Sequence, residues 1–131
     1  MCLRRRPFLA LCVLLSGVLA GCVGGPVVGP SDGRDSTDER AVERALATEE
    51  EYVVSVLESA PCVESWGLTP YGGIEENGTI TDRTGGGVVV TVTHPYWYGT
   101  EELESDGGTE ARYRVTTERV ERLDGTELAP C

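Results

Sequence analysis

Gly85-Gly86-Gly87-Val88-Val89-Val90-Thr91-Val92-Thr93 is the stretch that decides the fold class. Positions 88–93 hold only valine and threonine, whose branching at Cβ suits a pleated strand better than a helix. The glycines ahead of them punctuate a turn. The run reads as a largely buried strand, and His94-Pro95 behind it reads as a strand end or edge. Downstream, Ala111, Tyr113, Val115 and Thr117 alternate with Arg112, Arg114, Thr116 and Glu118, which predicts a second, half-exposed strand. The phase then shifts towards Val120 and Leu123, as a bulge or break requires. Asp106-Gly107-Gly108 and Asp124-Gly125 read as turns. Within residues 74–82, Asn77-Gly78 is a hairpin signal.

Upstream the period changes. Val42, Ala45, Leu46, Tyr52, Val53, Val56 and Leu57 recur at spacings of three and four, one apolar stripe of a helix. Ser36-Thr37-Asp38-Glu39 has the pattern of a capping box, and Pro61 stops the helix. Glu49 interrupts the stripe. Thr48 with Glu51 repeats the capping pattern, which predicts a bend or restart there. Glu49-Glu50-Glu51 is a triple of carboxylates that reads as a solvated helix face rather than a set of metal ligands. One helix followed by antiparallel strands predicts an α+β domain over 38–131, with the helix packed across a small sheet.

The first 21 residues are of another kind. Arg4-Arg5-Arg6 precedes an apolar run, 8–20, that is too short to span a bilayer core, which needs about 20 residues. A basic start, a short apolar run and small residues make a secretory leader over 1–21. Leu19-Ala20-Gly21-Cys22 resembles the lipobox of prokaryotic lipoproteins. The resemblance implies cleavage before Cys22 and a lipid on its thiol. Arg5, Arg6, Phe8 and Leu9 resemble the core of the twin-arginine export signal, with Arg4 and Ala10 departing from its usual flanks. Residues 23–35, rich in Gly, Pro, Ser and Asp, read as a tether within a 22–37 linker. Its reach is at most ~40 Å, with a typical span near ~20 Å.

Of five cysteines, the resemblance would remove Cys2 and Cys12 with the leader and give Cys22 the lipid. Cys62 and Cys131 remain, and in an oxidising compartment they are expected to pair. Closing a loop of about 70 residues contributes roughly 4 kcal/mol on the chain-entropy model.

With Arg4, Arg5 and Arg6 removed, eight arginines face 22 acidic residues, a net charge of −14. The chain has no lysine, no glutamine and a single asparagine. This composition, with that leader, resembles the surface lipoproteins of extremely halophilic archaea. The resemblance implies an extracytoplasmic, lipid-anchored protein in molar salt. No basic patch follows residue 21, which disfavours nucleic acid as a partner.

Chemistry-bearing motifs are few. His94 is the only histidine, with no cysteine, histidine or carboxylate at metal-ligand spacing beside it in sequence. Ser65 and Ser105 lie in no nucleophile elbow. Gly85-Gly86-Gly87 lacks the lysine of a phosphate loop, and no cofactor is expected. Tyr96-Trp97-Tyr98, with Trp66 and Tyr71 elsewhere, offers aromatic surface for a sugar ring or a protein contact, or else for the core. Asn77-Gly78-Thr79 fits the acceptor pattern for N-glycosylation. The leading expectation is a non-catalytic binding or envelope-associated module on the outer face of the membrane. The alternatives are a small extracellular hydrolase centred on His94 and an accessory subunit of a membrane transporter or electron-transfer complex.

Charge of this density makes stability salt-dependent. Lowering potassium chloride from ~1 M to ~0.1 M lengthens the Debye length from ~3 Å to ~10 Å and unmasks self-repulsion. Circular dichroism melts of the reduced protein should show the melting temperature falling on dilution. A flat or rising value contradicts the halophilic reading.

Overall fold

The computed structural model describes residues 33–131, with side chains from 37 onward. The leader, the lipobox and residues 22–32 of the expected tether lie outside the described residues. One helix packs on one face of a five-stranded antiparallel sheet, the expected α+β architecture. Among the described residues no helix is long and apolar enough to cross a membrane.

Helix α1 spans Gly33–Ser59, so it begins ahead of Ser36. It neither bends into two helices nor restarts at Thr48, whose Oγ1 instead donates to the Arg44 carbonyl one turn back at 2.8 Å. Its buried ridge is Ala41, Ala45, Glu49, Val53 and Leu57, a strict spacing of four. Glu49 thus belongs to the stripe it seemed to interrupt.

Strand β1 is Ser65–Gly67, β2 Asn77–Thr84, β3 Gly87–Gly99, β4 Glu104–Thr116 and β5 Val120–Gly125. β3 is central. It pairs along its whole length with β4, which pairs with β5. The other edge of β3 is shared: β2 covers it from Gly87 to Thr93, and β1 from Trp97 to Gly99. Between these partners lies Pro95, paired with Gly108 on β4 alone. A residue without an amide proton is tolerated where a strand has a neighbour on one side only. The strand therefore does not end at His94.

Alternation divides β3 between two faces. Val88, Val90, Val92, His94, Tyr96 and Tyr98 share the face on which α1 packs. Val90 and Val92 meet Ala41, Ala45, Ala111, Tyr113 and Val115 in one apolar cluster. Tyr96 and Tyr98 join Val53, Leu57, Leu128, Trp66 and Leu68 in a second. Thr91, Thr93 and Trp97 lie on the opposite face.

Two glycine signals mean something other than turns. Asn77-Gly78 opens β2, with Gly78 opposite Val92. A Cβ on Gly78 would stand 2.7 Å from Val42 Cγ1, so glycine is there because the helix crosses close above the strand. The hairpin between β2 and β3 turns instead on Gly85-Gly86. Gly107 and Gly108 are strand residues as well, lying against Tyr96 Oη and Ile74 Cγ2, where a Cβ would come within 3.0 and 2.7 Å. The expected break falls after Thr116, whose amide donates to the Arg119 carbonyl at 2.9 Å, and β5 follows with an irregular register opposite Arg112 and Tyr113.

Cys62, three residues past the helix, and Cys131 form a disulfide with Cα atoms 5.8 Å apart. The tail that carries Cys131 is also held by Tyr52, whose hydroxyl accepts from the Leu128 amide at 3.1 Å.

Gly78→Ala should destabilise the domain by about 1–3 kcal/mol through overpacking. Val42→Ala in the same chain should return part of that loss. Urea unfolding of the two single variants and the double variant checks it. Additive effects would mean that Gly78 serves backbone conformation rather than helix packing.

Candidate functional site

Three polar or aromatic arrangements stand out from the packing. The most buried is Glu49, fully covered beneath the helix. Its Oε2 accepts from the hydroxyl of Tyr113 and from Nε of Arg122 at 3.2 Å, and its Oε1 accepts from Arg122 Nη2 at 3.4 Å. Arg122 also donates to the Thr126 carbonyl at 2.9 Å and lies 4.2 Å above the Tyr52 ring. A buried carboxylate is tolerated only when paired and hydrogen-bonded, and both conditions hold here. Every neighbour of the carboxylate is engaged within the fold, so its role is structural.

Burial, then the hydrogen bond to Glu49 and its negative charge, push the Tyr113 phenol well above the usual tyrosine range, with Arg122 opposing. The folded state therefore holds the proton more tightly than the unfolded chain. That contribution to stability is complete below about pH 10 and is lost as pH rises beyond it.

The second arrangement surrounds His94, which is 1% exposed. Nδ1 lies 2.9 Å from the Pro95 carbonyl oxygen. Nε2 points at two carboxylates, 3.3 Å from Glu76 Oε2 and 3.7 Å from Glu50 Oε2. Neither contact has hydrogen-bond geometry, and Nε2 has no hydrogen-bond partner among the described residues. Thr109, the cross-strand neighbour of His94, has a buried Oγ1 in the same condition. Glu50 comes from α1 and Glu76 from the residue just before β2. Their ligand atoms and the imidazole nitrogen lie within 4.8 Å of one another, a set able to hold a metal ion. Sequence spacing shows none of this, because three separate elements meet at the gap in the β3 edge. The Glu49-Glu50-Glu51 triple is split by helical rotation: Glu49 turns to Tyr113, Glu50 to His94, and Glu51 to solvent.

The third is aromatic. Tyr96-Trp97-Tyr98 does not act as one surface. Tyr96 and Tyr98 stack with centroids 6.2 Å apart against the second core cluster. Trp97 faces the other way and meets Tyr71 edge to face at 6.4 Å. Tyr71 is 56% exposed and is followed by Gly72 and Gly73, both in the left-handed conformation at φ 65° and 81°. Tyr71, Gly72, Trp97, Tyr98, Glu104, Ser105 and Asp106 line a recess, to which Trp97, Glu104 and Asp106 contribute from the sheet face away from the helix. The part played by Tyr71 has no local sequence signal, since it approaches Trp97 from a loop.

Asn77 is exposed at the start of β2. The ring of His94 receives no hydrogen bond from a hydroxyl or thiol among the described residues.

No family model, curated protein or solved structure matched this chain.

Glu49→Ala should cost about 2–3 kcal/mol, at the lower end for a broken buried pair because Arg122 is a quarter exposed and can rehydrate. Tyr113→Phe should reduce the alkaline loss of stability above about pH 10, leaving the smaller part due to Tyr96, whose phenol is also pushed up by burial. Denaturant unfolding between pH 7 and 11 reads both. An unchanged alkaline limb in Tyr113→Phe would assign it to other groups.

Proposed function

We propose that this chain is a non-catalytic binding module, tethered to the outer face of the membrane by a lipid on Cys22, that holds a sugar of the cell envelope. The observation that carries the binding reading is the Tyr71–Trp97 recess. An indole face suits the C–H face of a pyranose ring, and the Glu104 and Asp106 carboxylates beside it accept hydrogen bonds from sugar hydroxyls. The outer address is supported by the Cys62–Cys131 disulfide, since such bonds persist in oxidising compartments. The lipobox-like Leu19-Ala20-Gly21-Cys22 supports the anchor. Molar salt, which the acidic surface favours, would leave ring stacking intact while screening charge. The alternative hydrolase centred on His94 draws less support, because a backbone carbonyl and two carboxylates face the ring and no hydroxyl or thiol among the described residues hydrogen-bonds to it.

The test joins both halves. Membranes from cells expressing the full chain are extracted, and intact mass is measured. A mature chain starting at lipidated Cys22 is expected, and Cys22→Ser should release the protein or leave the precursor. In retention on immobilised envelope glycans at molar salt, Trp97→Ala and Tyr71→Ala should lose binding, while Thr79→Ala should retain it. A mature chain without lipid mass removes the anchor. Retention unaffected by Trp97→Ala removes the recess as the binding site.

A further inference from the structure

We propose that His94, Glu50 and Glu76 form a binding site for a divalent transition-metal ion of the zinc class. The starting point is an arrangement that is unfavourable as it stands. A carbonyl oxygen only accepts, so the Nδ1 atom 2.9 Å from the Pro95 carbonyl carries the proton and donates. In the neutral ring Nε2 is then a lone pair. It is buried, aimed at two carboxylate oxygens, and lacks any hydrogen-bond partner among the described residues. Three acceptors converge with no donor between them. Such a cluster calls for a cation at its centre.

A second proton on the ring is one such cation, but an imidazolium Nε2–H would need to align on a carboxylate, and neither carboxylate stands in hydrogen-bond geometry. A metal ion fits better. With bonds of about 2.0–2.2 Å to nitrogen and oxygen, tetrahedral geometry sets ligand atoms roughly 3.3–3.5 Å apart. The measured separations from Nε2 are 3.3 and 3.7 Å. The Pro95 carbonyl on Nδ1 is the outer-sphere partner that orients a metal-binding imidazole and fixes its tautomer. Calcium and magnesium favour oxygen throughout, whereas imidazole selects zinc-like ions. The Glu50 and Glu76 side chains are 52% and 50% exposed, so the ion has a path in and a fourth position open to water. The site also explains why a lone histidine is buried beside the gap between β1 and β2. There it would pin the start of β2 to the helix.

The test is calorimetric titration of the purified, chelator-stripped full chain with zinc chloride in molar potassium chloride, which suppresses diffuse binding to acidic surface. One saturable equivalent is expected. Glu76→Gln and Glu50→Gln should each weaken binding by about tenfold or more. Glu51→Gln, exposed on the same helix, should leave it unchanged. Both ligand variants change half-exposed side chains, so folding is expected to survive, and circular dichroism verifies it. Because the chain has one histidine, long-range proton–nitrogen NMR reads its ring without overlap. Zinc should move the Nε2 resonance while Nδ1 keeps its proton. Absence of a saturable equivalent, affinity indifferent to both Glu→Gln variants, or a ring protonated on both nitrogens and insensitive to zinc would each overturn the proposal. The last result would leave an ion pair in its place.

Discussion

The contact on which the rest of this structure depends is the one between Glu49 and the pair Tyr113 and Arg122. It sits in the middle of the helix ridge, with Ala41 and Ala45 on one side and Val53 and Leu57 on the other. Those apolar residues alone would let the helix slide or rotate on the sheet with modest loss, since hydrophobic contact is not directional. A buried carboxylate permits no such freedom. Any shift that strips it of the Tyr113 hydroxyl or the Arg122 guanidinium leaves a charge unpaired in the interior. The polar contact therefore sets the register between helix and sheet, and the two apolar clusters fill in on either side. Arg122 extends the constraint outward, through Thr126 and the Tyr52 ring, to the tail that the disulfide closes.

The second organising feature is the divided edge of β3. Because β2 and β1 cover different halves of it, residues 94–96 have a strand neighbour on one side only. Pro95 is accommodated there, and the opening lets Glu76 and Glu50 approach His94 from two other elements. The pleat then separates the chemistry into two compartments. His94 faces the helix and the carboxylates. Three residues later Trp97 faces the opposite side, towards Tyr71 and the acidic recess. One strand thus carries two candidate sites that share no side chain, which makes them separable by substitution.

Surface charge and interior charge play different parts. Most of the 22 acidic residues lie where water and salt can reach them, and pairs such as Arg83 with Asp38 and Arg112 with Asp124 are exposed contacts of small worth. Glu49 is unlike them, since it is fully buried and its pairing is screened far less than theirs. On the open face Arg112 and Arg114 of β4 stand opposite Asp124 and Glu121 of β5, so charge is balanced locally at these two cross-strand pairs.

The sequence by itself determined the class of fold. The change from a period of three and four before Pro61 to valine runs and alternation after it reports burial on one face of each element, which is a local property. It also pointed to Cys62 and Cys131 as the pair that the structure joins. What it could not specify was which residue meets which. Glu49 looked like a flaw in the stripe, since a lone carboxylate carries no mark of the tyrosine and arginine far along the chain that neutralise it. Asn77-Gly78 and Gly107-Gly108 looked like turns, since glycine for a bend and glycine for a close approach are the same residue. Tyr96, Trp97 and Tyr98 looked like one patch until the pleat sent them to opposite faces. His94 looked isolated because its carboxylates arrive from a helix and a loop. Periodicity is written in neighbouring residues, whereas charge compensation, steric clearance and ligand geometry are set by distances between elements, and only the tertiary structure decides those.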